Sequence, residues 1–407
     1  MNGTFDWIDI TLWILAFALL GAAIVLIRWW RKPRPELPAP LTPPEDLILE
    51  PVFLRFHEPV PFHTEDPRVE AQHLLWRQQM LAAGRVLTEH RVRNIIFLHG
   101  TFAGSDPLDI LPTLRSALPR LHQRWEEKLQ RRMKKAVDVL ARDNGNFLPQ
   151  YVRLVEDALG GGTHCQLFHW SSANHHIGRL LGAIRLIDVL VHHATKHPGD
   201  RILLIGHSHA RQLFALFTHL LGQSVIGRRL WEFLQKEDLI TSTLDEQAAS
   251  LRAMGFDFVT LGGPVRYPWA FLKDMRALHF INHRGEGLTM EKPLGFWNTA
   301  AGDYMQQWGT IGSDTLATTS RERAFNRQLD EILGKGTDTR LWLHAIARRE
   351  RLGNFGRTLL IDYADQGRGP NFIGTVFGHG VYTRYRALLF HMQQICRYLY
   401  DNDITSR

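Results

Sequence analysis

Ile202-Leu-Leu-Ile205 runs straight into Gly206-His207-Ser208-His209-Ala210, and Gln212 to Leu221 continues with apolar residues at helical spacing. An apolar strand that passes within five residues into a helix leaves room only for a tight turn. A serine at the apex of such a turn is forced into strained backbone angles, so small residues are wanted two positions to either side, here Gly206 and Ala210. The turn exposes the Ser208 hydroxyl above the carboxyl edge of a sheet. It also leaves the His209 backbone N–H at a helix start, where it can meet developing negative charge.

Working outward, further short apolar runs are each followed by a helical pattern. They are Asn94 to Leu98, Cys165 to Trp170, Phe256 to Leu261, Ala277 to Ile281 and Thr358 to Ile361. Strands alternating with helices predict an α/β fold, a mostly parallel central sheet with helices on both faces. Functional residues of such sheets sit in loops at the carboxyl ends of the strands.

The chain has 407 residues, 44% of them hydrophobic and 22% charged, enough to bury a large core. Two cysteines, Cys165 and Cys396, exclude a disulfide framework and any four-cysteine zinc module. From Ile10 to Ile27 no residue is charged, and Trp7, Trp29 and Trp30 flank the run. As a helix its rise is about 27 Å, one hydrocarbon thickness. Asp6 and Asp9 precede it and Arg28, Arg31, Lys32 and Arg34 follow, the reverse of a signal peptide's charge order. Residues 1–32 are therefore expected to be a retained single-pass transmembrane anchor. Positive flanks stay inside, so the rest is expected in the cytoplasm, at the plasma (inner) membrane. Six prolines between Pro33 and Pro44 predict a stiff linker over 33–46, leaving 47–407 as one large domain.

One helical stretch interrupts the alternation, within a basic insertion near 107–160. Pro119 is placed to start it, and Leu121, Trp125, Leu129, Met133, Val137 and Leu140 form one apolar stripe. Seven basic residues between Arg120 and Lys135 face only Glu126 and Glu127. Together with the four beside the anchor they account for more than the whole net charge of +7. The basic balance thus comes from two patches and is no fingerprint of nucleic acid, which would need aromatics interleaved on an exposed face. The segment reads either as a core-facing helix with a solvated basic face or as a contact or lid at an anionic membrane.

A second element supports the serine turn. Ile95-Ile96-Phe97-Leu98 leads into His99-Gly100-Thr101-Phe102-Ala103-Gly104, an apolar strand ending in a histidine-glycine loop. With both motifs present the chain resembles the α/β-hydrolase superfamily, specifically its lipase and esterase-like members, over roughly Asn94 to the final helix. Ala210 stands where that family's pattern usually ends in glycine. The resemblance implies an α/β-hydrolase fold and a serine hydrolase acting on carboxylic esters without metal or organic cofactor. Ser208 would be the nucleophile, and the backbone N–H groups of Thr101 (or Phe102) and His209 the oxyanion hole. His99 would orient the loop.

Family chain order is nucleophile, acid, histidine. Of the histidines after Ser208, only His379 sits between glycines after the last apolar strand, where the resemblance places the base. The acid should follow Ala277 to Ile281, and Glu286 is the first carboxylate met; Asp303, Asp314, Asp362 and Asp365 stay open. Leu261-Gly-Gly-Pro264 resembles the loop that shapes the pocket floor.

Twenty-one histidines invite a metal site, but none falls in a His-Glu-x-x-His helix or at ligand spacing with carboxylates. The expected activity is that of a membrane-anchored esterase, with lipid esters suggested by the anchor and the basic helix. A rival from another class is a non-catalytic, membrane-tethered scaffold that keeps the fold and binds an acidic partner or membrane surface.

Overall fold

The computed structural model describes residues 42–60, 73–101, 106, 111, 123–196, 199–241, 244–288, 292, 295–311, 314–335, 351–363 and 375–401. The expected anchor over 1–32 and most of the linker lie outside the described residues. Among those described, no helix is long and apolar enough to cross a membrane. The chain joins the sheet at Leu47 and Ile48, where Leu47 O accepts from Gly356 N.

In chain order the elements are β1 (Val52–Arg55), α1 (Leu74–Glu89), β2 (Val92–Leu98), α2 (Gln123–Ala141), α3 (Pro149–Ala158) and β3 (His164–Phe168). Then come α4 (His176–Lys196), β4 (Arg201–His207), α5 (Ala210–Leu221), α6 (Val225–Lys236), α7 (Leu244–Leu251) and β5 (Gly255–Leu261). Last are β6 (Arg276–Asn282), α8 (Tyr304–Trp308), α9 (Ser320–Leu333), β7 (Arg357–Asp362) and α10 (Tyr385–Ile395).

The strands form one all-parallel, seven-stranded sheet in the order β1-β7-β6-β5-β4-β2-β3. Each of the six strands expected from sequence is present. Their runs are legible because both faces of the sheet are covered, so successive side chains are all apolar. In β2, Ile96 and Leu98 join the core under α4 to α7 and α9, while Ile95 and Phe97 join the opposite core under α1, α3 and α10. β1 was not expected. It is an edge strand of four residues whose outward positions, Phe53 and Arg55, are exposed, so its period-two signal is too short to stand out.

The segment near 107–160 differs in part from its expectation. α3 is an ordinary crossover helix whose Tyr151, Val152 and Val155 are buried in the core. On α2, Lys128, Arg131, Arg132 and Lys135 are exposed, but Lys134 turns inward and bonds Asp138 and Asn146. The polypeptide after α2 reaches the loop preceding α10: Gly145 N donates to Gly380 O at 3.3 Å and Asn146 N to Thr383 Oγ1 at 3.1 Å.

The chain leaves β2 toward the edge strand β3, then returns to the other side of β2 as β4. Loops on either side of such a switch point diverge and open a crevice at the carboxyl ends of the strands. Leu98 pairs with Gly206, and His207 with Leu261, so the loops after β2, β4 and β5 start side by side.

Candidate active site

β4 ends at His207 and α5 begins at Ala210, leaving Ser208 and His209 to make the turn. Ser208 has φ +56°, a left-handed conformation costing a side-chain-bearing residue about 1–2 kcal/mol. Neighbouring bonds hold it there: Ser208 N donates to Leu261 O at 2.9 Å, and Ser208 O accepts from Arg211 N at 3.1 Å. The two small flanking residues have a steric reason. A Cβ on Gly206 would lie 2.6 Å from Phe214 Cε2 and 2.8 Å from the Ala210 Cβ, so the strand and the helix could not close. His209 occupies the N-cap position, and its N–H has no protein acceptor among the described residues.

The histidine-glycine loop packs directly on this turn. A Cβ on Gly100 would sit 2.6 Å from the Ser208 Cβ, so only glycine lets the loop approach. His99 is buried, and burial pushes its imidazole down to about 3, which keeps it neutral. Its Nδ1–H donates to Gly100 O at 3.0 Å, its carbonyl accepts from Trp170 Nε1 at 3.0 Å, and its ring stacks on Trp170. It therefore holds the loop rather than reacting. Thr101 follows with its Oγ1 buried and unbonded; Phe102, the fallback donor, lies outside the described residues.

His379 packs against His207, the residue before Ser208, with ring centroids 4.6 Å apart. It follows a turn with three successive positive φ angles, at Val376, Phe377 and Gly378. Its Nδ1–H donates to Asp303 Oδ2 at 2.8 Å, and its carbonyl accepts from His207 Nε2 at 3.0 Å. Asp303 is fully buried and caps α8, its Oδ1 accepting from Gln306 N at 2.8 Å, while the Tyr382 hydroxyl donates to Oδ2 at 2.7 Å. The carboxylate thus accepts three hydrogen bonds and presents one oxygen to the imidazole. That bond fixes the tautomer with Nε2 unprotonated, the form a general base needs. The pair lies over the β5 turn, since a Cβ on Gly262 would be 2.8 Å from Asp303 Oδ2.

Glu286, expected as the acid, is exposed and is not brought to His379. After β6 the chain bends away in a turn closed by His283 Nε2 donating to Gly287 O at 2.6 Å, and Glu286 goes with it. The chain comes back at Gly302, which bridges His283, and Asp303 N donates to Asn282 O at 2.9 Å. The carboxylate beside β6 is therefore Asp303, one of the alternatives left open. The return needs two glycines. Gly302 (φ +100°) would place a Cβ 2.3 Å from Asn282 O, and Gly378 (φ +83°) one 2.1 Å from Gly302 O. Of the other candidates, Asp314 is held by Arg179 at 2.7 Å and by Arg266, and Asp362 by Arg284 at 3.2 Å. Asp365 is outside the described residues.

Ser208 Oγ makes one hydrogen bond, a long one of 3.5 Å to His209 Nδ1, and none to His379. A serine hydroxyl changes partner by rotation about χ1, and catalytic bonds are often long before substrate binds. Three histidines besides His379 surround the serine, and burial lowers all of them: His99 as above, and His207 and His209 well below the usual range. None of those three is hydrogen-bonded to a carboxylate among the described residues, whereas His379 is. Among the described residues no group of three or more histidine, cysteine or acidic side chains is arranged to hold a metal ion. No protein-family model, curated protein or solved structure matches the chain.

Proposed function

We propose that this chain is a membrane-anchored serine hydrolase of the α/β-hydrolase type that cleaves carboxylic esters, with Ser208, His379 and Asp303 as its triad. The observation that carries the reading is a serine at positive φ whose chain neighbour His207 packs on an imidazole, His379, bonded at 2.8 Å to a buried carboxylate. Either feature alone has structural explanations. A strained serine is retained where the surrounding contacts over-determine it, as happens at functional sites, and strain beside an oriented imidazole has an evident chemical use.

In this reading the steps are as follows. His379 Nε2 takes the Ser208 proton as Oγ bonds to the acyl carbon; Asp303 stabilises the imidazolium so formed. The carbonyl oxygen becomes an oxyanion, for which the N–H groups of His209 and Thr101 would be the donors. Collapse breaks the bond to the alcohol, which leaves with the proton from His379, and an acyl-enzyme remains. Water, deprotonated by the same imidazole, then adds to the acyl carbon; the acyl–Oγ bond breaks, the imidazolium returns its proton to Ser208 Oγ, and the acid leaves.

The anchor over residues 1–32 would hold this domain on the cytoplasmic side of the inner membrane. Four exposed cations of α2 suit an anionic bilayer, so lipid esters are the substrate class we favour. The test is a fluorophosphonate probe on the full chain in detergent. Wild type should be labelled and Ser208→Ala should not, with hydrolysis of a short-chain ester falling by about 10⁶. Labelling that persists in Ser208→Ala would remove Ser208 as nucleophile.

A further inference from the structure

We infer that Arg351 is a positioning residue for the acid and base: a buried cation that balances the Asp303 carboxylate and pins the loop carrying it. The inference rests on the reading of Asp303 and His379 as acid and base. Arg351 is 1% exposed and Asp303 0%, so both charges are out of water. The guanidinium makes four hydrogen bonds, to Gln306 Oε1 at 3.0 Å, His283 Nδ1 at 3.1 Å, Asn282 O at 3.2 Å and Asp303 O at 3.4 Å. Every acceptor is neutral. Among the described residues no carboxylate oxygen lies within ion-pair distance of it.

A lone buried cation is costly unless an opposite charge lies near. Among the described residues the charged and titratable groups around it are Asp303, His283, Tyr304 and Tyr382, and of these Asp303 is the anion. The two residues share one mediator: Gln306 N bonds the Asp303 carboxylate, while its side chain accepts from Arg351 Nε and donates to Arg351 O at 2.8 Å. Arg351 thus grips both ends of the chain return, Asn282 and Asp303, that brings the acid to His379. Around His379 itself, among the described residues, stand Asp303, Tyr382, His207 and His209; burial keeps His207 and His209 neutral, so neither balances the carboxylate.

Losing the cation leaves Asp303 uncompensated, which favours the imidazolium over the free base. In Arg351→Met the pH midpoint of the His379 ring signals, followed by NMR on the full chain in detergent, should move up by about one unit relative to wild type. The acid limb of fluorophosphonate labelling should move with it. Arg351→Lys keeps the charge but not the four bonds, so its midpoint should stay with wild type while maximal labelling slows. An unshifted midpoint in Arg351→Met, or an equal shift in Arg351→Lys, overturns the inference. If wild type is not labelled at all, the hydrolase reading fails, and the NMR comparison still decides the role of Arg351.

Discussion

Between Gly206 and Ala210 the chain makes its turn locally, from a strand that ends, a helix that starts and two small residues that let them meet. Between Gly302 and Gly378 nothing is local. Two loops separated by β7 meet because neither has a Cβ at the crossing, and only then do Asp303 and His379 touch. The serine side is specified by sequence neighbours, the acid and base side by a contact between distant segments. The two sides differ in charge as well. Around Ser208 are the neutral imidazoles of His99, His207 and His209, whereas behind His379 lie a buried carboxylate and a buried guanidinium. One side is set by shape and the other by charge and contact.

The largest effect that can break this comparison comes from the carboxylates. Asp303→Asn keeps the volume but offers Nδ1 an amide in place of a charge, and turnover of a short-chain ester should fall by about 10⁴, as when a triad acid loses its charge. Glu286→Gln should leave the rate within twofold, because the side chain is exposed and apart from His379. The reverse result would move the acid to the exposed turn and dissolve the distinction between the sides.

That same pair shows how much was legible. The six strands, the serine turn and the histidine-glycine loop are written in consecutive residues, where burial on both faces and backbone sterics leave a direct pattern. Asp303 is reached only by a chain return, so ranking carboxylates by distance from β6 favours Glu286. Two local signals were available all the same. Gly302 and Gly378 each precede a member of the pair, and Asp303-Tyr-Met-Gln306 is a helix-capping pattern that fixes an aspartate's orientation. Neither signal names its partner, which is why the pairing itself was not readable. Arg351 carried no signal, being the last of three arginines in the charged run Arg348-Arg349-Glu350-Arg351, which reads as a solvated cluster. Its burial follows from tertiary contacts alone.

The loop crossing gives an intermediate effect. Gly378→Ala needs a Cβ 2.1 Å from Gly302 O at a φ of +83°, so it should lower stability by about 3 kcal/mol, from backbone strain and overpacking together. Urea denaturation measures the loss, and fluorophosphonate labelling should slow because His379 shifts. Ala210→Gly, on the serine side, should cost only about 1 kcal/mol, the helix-propensity difference. Equal costs would mean that the crossing is no tighter than the turn.

The smallest effect concerns the neutral imidazoles. His99 is pushed down to about 3 by burial, whereas an unfolded histidine titrates near 6.5. Below pH 6.5 the unfolded chain therefore takes up a proton that the folded chain refuses. The stability tied to a neutral His99 is complete above 6.5 and is lost as pH falls toward 3, by about 1.4 kcal/mol per pH unit. At pH 5 that amounts to about 2 kcal/mol. His219 and His391 are buried in the same way, at about 4 and about 3, and steepen the acid slope of every variant equally. The difference between wild type and His99→Gln isolates the one residue. The variant should be less stable at pH 7, since it loses the bond to Gly100 O and the stacking on Trp170, yet its loss of stability between pH 6.5 and 5 should be smaller by about 2 kcal/mol. Urea denaturation at the two pH values measures both quantities. Parallel slopes would show that His99 is protonated in the folded chain, and the serine side would then carry charge after all.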